Sequence, residues 1–218
     1  MTHKVVVIDP GHNGANQFHG SIIRQQVPDG LGGHKDCNTT GTQTNGDAYP
    51  EYKFNWNVAL KLKSLLQAKG ITVVMTRDSD DGVGPCVNKR AEIGNNADAD
   101  AVISIHGDGD DSSAHGFYGS LAETDPAGAK TAAESMRLAV DMRNAVSGTM
   151  PANNHIGSDG IFKRDDLTGL NMSTRPTVLM ELGNMRNSAD AAFMSSTDGQ
   201  DQLAQALYNG AIKYLIGQ

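Results

Sequence analysis

The sequence predicts an α/β fold: one domain with a twisted, mostly parallel (mixed) sheet of about six strands and helices on both faces. Short β-branched apolar runs alternate with stretches of helical period in the first half of the chain. A strand–helix–strand rhythm requires crossover connections, which pair the strands in parallel. With 38% apolar content, the 218 residues can fill one sizeable core. We therefore expect a single domain over 1–218, without an internal repeat or a separate binding module.

The first half of the chain contains three predicted strands and two predicted helices. The strands are rich in Val and Ile, and the apolar residues of the first helix recur at spacings of three and four until Gly70 ends it. A long segment rich in Gly, Asn, Asp and Thr precedes that helix and shows no periodicity, so we predict a loop there. In order, the elements are strand 4–8, loop 13–50, helix 51–69, strand 71–75, helix 87–96 and strand 101–105.

The second half continues with further strands and longer helices. Pro126 lies near the start of one helix, and the final helix places Leu203, Leu207 and Ala211 on one face. The predicted elements are strand 116–121, helix 128–146, a loop reaching Gly160, a short strand 161–162, strand 177–180, and helices 189–194 and 202–216.

Charge and hydropathy narrow the classes of partner. The formal net charge is −7, the sequence pI is about 5.4, and Lys and Arg form no run. Neither a nucleic-acid footprint nor binding to an anionic membrane surface is expected from this balance. The apolar runs are also shorter than the roughly 18 residues that suggest a membrane span. The first predicted strand begins at Lys4 and leaves no room for a signal peptide, which by itself says nothing of location.

Two histidines follow the ends of predicted strands. His12 comes just after strand 4–8, and His106 directly follows strand 101–105. The carboxyl ends of parallel strands lie at one edge of a sheet, where ligands bind in open α/β folds. Hydrolytic zinc takes three protein ligands from His, Asp and Glu. Glu51 opens the helix after the long loop and would be held over the same edge, so we predict a metal site of His12, Glu51 and His106.

Each of these residues also has a plainer interpretation. A single His at a strand end is more often a hydrogen-bonded structural residue, and a Glu in the first turn of a helix complements the helix dipole. The joint placement of the three favours the metal site. The other five histidines lack this context and are interpreted as surface or loop residues, with His34 and His155 as weak candidates for substrate contact.

Glu181 closes an apolar run that reads Thr177-Val178-Leu179-Met180. A carboxylate at the end of a buried strand is costly to desolvate unless it has a partner or a task. Beside a metal-activated water it would serve as general base and then as acid. The alternative is a structural ion pair with Arg175 or Arg186.

Five segments, taken together, form a recognisable pattern. They are Val6-Val7-Ile8-Asp9-Pro10-Gly11-His12, then Glu51 with Asn55, Ala59, Leu60, Leu62 and Leu65, then Thr76-Arg77-Asp78 with Lys89-Arg90-Ala91 and Asn95, then Ser104-Ile105-His106, and finally Val178-Leu179-Met180-Glu181-Leu182-Gly183. In this order and spacing, and over nearly the whole chain, the sequence resembles the zinc-dependent N-acetylmuramoyl-L-alanine amidases of the bacterial cell wall, catalytic type 3.

The resemblance implies one Zn²⁺ held by His12, Glu51 and His106, with Glu181 as the catalytic carboxylate. The implied reaction is hydrolysis of the amide between the lactyl group of N-acetylmuramic acid and the first L-alanine of the stem peptide, in peptidoglycan or muropeptide fragments. An exported protein of the cell envelope or periplasm and a monomeric state are expected with it. Two other functions stay open: a catalytically silent wall-binding or regulatory protein of the same fold, and a related zinc peptidase.

The chain departs from the family pattern beside the site. Asn13, Gly107-Asp108, Asn184 and Arg186 stand where the family commonly has other residues, which leaves the ligands intact and concerns substrate contacts. Arg186 and Arg175 are our candidates for meeting carboxylates of the stem peptide. Lys163 and Arg164 are weaker candidates, since ordinary surface charge accounts for them.

Cys37 and Cys86 are the two cysteines of the chain. The residues alone allow either two free thiols or a disulfide, and the exported setting implied by the resemblance favours the disulfide. It would tie the long loop to the loop after the second strand. Because loop 13–50 precedes a predicted ligand, we also hypothesise that it gates access to the cleft.

Overall fold

The computed structural model describes residues 3–156 and 159–217. These residues form one six-stranded sheet in the order β4-β1-β5-β8-β6-β7. The strands are β1 (Val5–Pro10), β4 (Thr72–Met75), β5 (Ala101–Asp108), β6 (Phe117–Ala122), β7 (Ile161–Arg164) and β8 (Thr177–Asn184). β6 and β8 pair antiparallel, and the other neighbours pair in parallel. The predicted mixed sheet is therefore confirmed.

Helices cover both faces of this sheet. One face packs against α2 (Glu51–Ala68), α4 (Ala129–Val146) and α6 (Ser188–Ser195), and α7 (Thr197–Ile216) packs against these three helices. The opposite face carries α3 (Val87–Asn96) and the one-turn helix α5 (Thr168–Asn171), while another single turn, α1 (Gly20–Ile23), lies in the long loop. The larger core lies on the four-helix face, where every second strand residue, such as Ile8, Ile103 and Met180, is fully buried.

The predicted helices match the structure within one or two residues, with the exception of the last. α7 begins at Thr197, five residues before the predicted start at 202, because the Ser196 side chain accepts a hydrogen bond from the Gly199 backbone and caps the helix. Gly70 follows α2 with a positive φ of 79°, as expected for a glycine that ends a helix.

β5 and β8 are longer than predicted, and this changes the setting of the site residues. β5 continues to Asp108 and β8 to Asn184, so that His106 and Glu181 lie within strands and not after them. The predicted loop before β7 includes Gly157 and Ser158, which lie outside the described residues.

The prediction of a loop without elements over 13–50 was wrong in detail. This segment contains a 3-10 helix (Gly14–Phe18), α1, and a hairpin of β2 (Gln26–Pro28) and β3 (His34–Asp36). These elements are short, which explains why no periodicity revealed them. A disulfide between Cys37 and Cys86 ties the end of the hairpin to the start of α3.

None of the helices within the described ranges has the length and apolar character needed to cross a membrane.

Candidate metal centre and active site

The turn after β1 places His12 at the carboxyl edge of the sheet. His12 adopts a left-handed backbone conformation with φ of 58°, and the Asn55 side chain donates to the Gly11 carbonyl. The His106 ring packs directly over Gly11, where a Cβ atom would lie 2.2 Å from the ring. Glycine is therefore required at this position, because any side chain would displace His106.

Glu51 lies in the first turn of α2 and contacts both imidazoles. Its Oε1 lies 2.9 Å from His106 Nδ1, and its Oε2 lies 3.2 Å from His12 Nε2. The backbone amides of Thr42 and Gly107 also donate to this carboxylate. The two rings meet edge to face with centroids 5.0 Å apart. The structure thus brings together the three predicted ligands, each of which offers one donor atom within 4.8 Å of the others.

The charge state of Glu51 suits a cation site. Burial alone would raise its pKa, but the two imidazoles outweigh burial and hold the pKa of Glu51 well below its ordinary value. Burial likewise opposes charge on His12, and the neighbouring Glu51 carboxylate nevertheless raises the pKa of His12. A buried anion between two imidazole nitrogens is a donor set that zinc favours in hydrolases, so the residues present fit this metal.

A buried ion pair supports the turn that carries His12. Arg90 of α3 donates to an Asp9 carboxylate oxygen over 2.7 Å, to the Pro10 carbonyl over 2.8 Å and to the His12 carbonyl over 2.9 Å. Asp9 also accepts from Thr76 and Ser104. Our sequence interpretation assigned no role to Asp9 or Arg90. The signal that could have indicated the buried charge is the position of Arg90, next to Ala91 on a helix that faces the sheet.

Glu181 lies on the strand next to His106. The register of β5 and β8 pairs these two residues, and Tyr118 of β6 pairs with Glu181 from the other side. Among the described residues, the buried Oε2 atom of Glu181 has no hydrogen-bond partner. Burial, followed by the charges of Glu51 and Asp108, raises the pKa of Glu181 well above its ordinary value. An unpartnered carboxylate of raised pKa beside the three donors can accept and return a proton.

The alternative ion pairs for Glu181 do not form. Arg175 lies before the amino end of β8, about 20 Å along the strand from Glu181, and its guanidinium donates to the Ala99 and Asp98 carbonyls. Arg186 lies on the exposed turn after β8, in a groove that also contains Tyr52. The structure therefore does not bring Arg175 into the site and leaves Arg186 near it.

The remaining candidates differ in their distance from the site. His34 and Lys163 are exposed, and His155 lies 3.6 Å from an Asp110 carboxylate oxygen. Arg164 donates to Asp166 through two nitrogens, and its charge also acts on Glu181, where it opposes the rise in the pKa of that carboxylate.

Comparisons with known proteins identify the family of the chain. A family model described as N-acetylmuramoyl-L-alanine amidase matches residues 6–213. The chain is 42% identical over 215 residues to the N-acetylmuramoyl-L-alanine amidase Rv3717 of Mycobacterium tuberculosis, covering 98% of this chain and 87% of the relative.

Solved structures give the same result. The N-acetylmuramyl-L-alanine amidase Ami1 of Mycobacterium abscessus superposes with a TM-score of 0.93 at 43% identity, over 99% of this chain and 100% of its own. Ami1 of Mycobacterium smegmatis superposes with a TM-score of 0.95 at 37% identity, over 100% of this chain and 99% of its own. From the matched family model and these relatives, the chain belongs to the N-acetylmuramoyl-L-alanine amidase family.

Proposed function

We propose that the protein hydrolyses the amide between the lactyl group of N-acetylmuramic acid and the first L-alanine of the stem peptide, with one zinc ion as cofactor. The observation that carries this proposal is the convergence of His12, Glu51 and His106 beside an unpartnered carboxylate, in a chain of this family. The same family membership supports peptidoglycan or its muropeptide fragments as the substrate.

The three donors would hold the ion, and two of them, His12 and Glu51, have backbone partners that orient them. His12 Nδ1 lies 3.2 Å from the Thr39 carbonyl, and Glu51 accepts hydrogen bonds from two backbone amides. Such contacts fix the ring tautomer and the carboxylate position before an ion arrives. When bound, zinc would supply a Lewis acid that lowers the pKa of water and polarises the scissile carbonyl.

Glu181 would move the protons of the reaction. Its unpartnered Oε2 can accept a proton from the attacking water, and the carboxylic acid so formed can donate to the departing alanine nitrogen. The proton thus passes from water to the leaving amine, the carbon–nitrogen bond breaks, and the carboxylate is restored. This route needs no covalent intermediate with the protein.

The alternatives receive less support from these contacts. A silent wall-binding or regulatory protein has no use for an unpartnered buried carboxylate, which is costly to keep beside Glu51. A zinc peptidase would cleave between two amino acids and would release products of different mass. The family match favours the amidase.

Digestion of purified muropeptides, followed by mass analysis, tests the proposal. We expect a released stem peptide that begins with alanine, no release in the presence of a chelator, and recovery when zinc is added. A product cut between amino acids would support the peptidase, and binding without any cleavage would support the silent protein.

Three further properties belong to this proposal. We infer that residues 1–218 act as one catalytic domain and that the active form is a monomer. The Cys37–Cys86 disulfide and the cell-wall substrate support export to an oxidising compartment of the cell envelope.

A further inference from the structure

A segment without regular structure contacts two of the three proposed metal donors. This segment, residues 37–42, lies between β3 and α2, and we call it the donor-facing segment. The carbonyl and hydroxyl oxygens of Thr39 each lie 3.2 Å from His12 Nδ1. The backbone amide of Thr42 donates to Glu51 Oε2 over 2.9 Å. The place of this segment therefore bears on the place of both donors.

Gly41 brings the donor-facing segment into close contact with the same two side chains. Its φ is 77°, and a Cβ atom at this position would lie 2.6 Å from Glu51 Oε2 and 2.8 Å from His12 Cδ2. Both distances are too short for a side chain, so the backbone itself packs against the donors. A shift of the segment would therefore change the surroundings of His12 and Glu51.

A disulfide and a buried asparagine tie the start of the segment to the residues that precede α3. Cys37 is bonded to Cys86. The Asn38 side chain donates to the Pro85 carbonyl over 2.8 Å and accepts from the Thr39 amide over 2.8 Å. Two consecutive residues of the donor-facing segment are thus fixed to two consecutive residues before α3, one covalently and one by a hydrogen bond.

Asn16 makes a third tie at the residue that contacts His12. Its side chain is fully buried, donates to the Thr39 carbonyl over 2.8 Å and accepts from the Gly84 amide over 2.9 Å. The carbonyl beside the His12 ring therefore has a second partner, which fixes the direction of its oxygen. Because Asn16 lies in the 3-10 helix that follows His12, it joins three segments that are far apart in sequence.

The residues before α3 also hold the backbone of His12. Arg90 donates to the Pro85 carbonyl over 3.1 Å, to the Gly84 carbonyl over 3.2 Å and to the His12 carbonyl over 2.9 Å. The ring of His12 is oriented by Thr39, which is tied to these same residues through Asn16. One set of contacts thus fixes the ring and the backbone of this donor relative to each other.

We propose that the Cys37–Cys86 disulfide and Asn16 are positioning groups for the metal donor His12, and that tight zinc binding requires the disulfide to be formed. The proposal rests on the zinc site of the proposed function. The disulfide forms when an external disulfide oxidises the two thiols by exchange: Cys37 and Cys86 lose two protons and two electrons, and the external disulfide becomes two thiols. Zinc loading then depends on an oxidising environment.

The physical reason is the cost of ordering the segment. Without the ties, the donor-facing segment would have to be ordered when the ion binds, and this ordering would reduce the free energy of binding. With the ties in place, Nδ1 of His12 faces the Thr39 carbonyl, so that Nε2, which faces Glu51, is left for the metal. Partners of this kind fix ligand orientation, and their loss typically weakens metal binding about 10–100-fold.

The affinity of the folded protein for zinc alone, measured by competition with a chromophoric chelator, tests the proposal. Cys37→Ala/Cys86→Ala removes the disulfide and leaves no thiols that bind zinc themselves. We expect the Kd for zinc to rise about tenfold or more. Leu207→Ala, at a buried position of α7, is the control for general loss of stability, because it leaves a cavity in the core and should change the Kd less than about twofold.

Asn16→Ala tests the same role with the disulfide intact. It removes both hydrogen bonds of this side chain, and we expect the Kd for zinc to rise about tenfold. Asn95→Ala is the matched control, since the Asn95 side chain also joins two segments, donating to the Met172 carbonyl and accepting from the Thr174 amide, but lies in the last turn of α3. Its Kd should stay near that of the wild type.

The affinities are compared at a temperature at which circular dichroism shows each protein to be folded. If the disulfide-free variant does not fold, Asn16→Ala and its control decide the question. Wild-type affinity in Asn16→Ala or in a folded disulfide-free variant would overturn the proposal, and so would equal losses in the controls. A wild type that binds no zinc would overturn the proposed function as well, which distinguishes the two failures.

Discussion

His106 and Glu181 occupy paired positions on the neighbouring parallel strands β5 and β8. Paired residues in a sheet project to the same side, and neighbouring strands lie about 4.8 Å apart. The register shifts between His106 and Asp108, immediately beyond this pair. One proposed metal donor and the unpartnered carboxylate are thus fixed side by side by backbone hydrogen bonds of the sheet.

The Glu181→Gln variant tests the proton-transfer role. We expect kcat to fall at least about a hundredfold, since a positioned acid–base group contributes roughly 10²–10⁴ in rate. The zinc content, measured by elemental analysis, should stay near one ion per chain, because Glu181 is not one of the three donors. Glu123→Gln, at the exposed position immediately after β6, is the matched control. A Glu181→Gln protein with near-normal turnover would remove Glu181 from the mechanism.

Loss of one metal donor should abolish binding and activity together. We expect His106→Ala to lose most of its zinc, whereas His115→Ala, at a histidine outside the cluster, should keep it. Chelation of the wild type should lower its thermal unfolding midpoint, because a ligand that binds only the folded state stabilises that state. If active wild-type protein contained no metal, or if chelation left the midpoint unchanged, the metal site would be refuted.

The Asp9–Arg90 pair should stabilise the fold strongly at neutral pH. Both side chains are almost fully buried, so Asp9→Asn leaves the Arg90 charge without its partner and should cost about 3–5 kcal/mol in the free energy of unfolding. Urea denaturation at pH 7 measures this loss. The exposed Lys89–Glu92 pair gives the control, since Glu92→Gln should cost less than about 1 kcal/mol.

The same ion pair should also make the stability of the protein depend on pH in acid. Burial would raise the pKa of Asp9, but Arg90, Thr76 and Ser104 outweigh it and lower the pKa to about 2 from its ordinary 3.8. A lowered pKa in the folded state stabilises the protein above pH 3.8, and this contribution is lost as the pH falls toward 2. The contribution is about 2 kcal/mol. Between pH 4 and 2 the wild type should therefore lose more stability than Asp9→Asn, and parallel losses would contradict this account.

The Cys37–Cys86 disulfide should stabilise the fold through the unfolded state. Its cysteines lie 49 residues apart in sequence, and closing a loop of that length is worth about 4 kcal/mol in the chain-entropy model. We expect the double variant Cys37→Ala/Cys86→Ala to lose stability of this order in urea denaturation. The wild type under reducing conditions should lose a similar amount. A double variant as stable as the oxidised wild type would show that the bond contributes nothing.

The β2–β3 hairpin should limit the access of large substrates. Lys35 donates to the Asp166 carbonyl, and Asn171 donates to the Asp29 carbonyl, so the hairpin is held against the α5 segment. Lys35 of the hairpin lines a cavity that His12 and His106 also line. Replacing the tip, residues 29–33, by a two-residue turn keeps Cys37 and should raise turnover on polymeric peptidoglycan. Turnover on a small muropeptide should change little. Unchanged rates on both substrates would count against a gating role.

Much of the fold could be predicted from local patterns. The helices over 51–69 and 87–96 and the strand over 71–75 show clear periods of 3.6 residues or apolar runs, and they formed close to the predicted bounds. The strand predicted over 101–105 also formed, and it continues to Asp108. The elements within 13–50 could not be predicted in this way. They are a few residues long and are held by contacts distant in sequence, such as the disulfide and the hydrogen bond from Lys35 to Asp166.

The sequence by itself determined which side chains could form the site, because strand ends and a helix start placed His12, His106 and Glu51 at one edge of the sheet. The tertiary structure alone decided the rest: strand order, the pairing of His106 with Glu181, the Asp9–Arg90 support, and the distance of Arg175 from the site. The physical reason is that local propensity acts over a few residues, whereas register and buried ion pairs depend on packing between segments far apart in the chain.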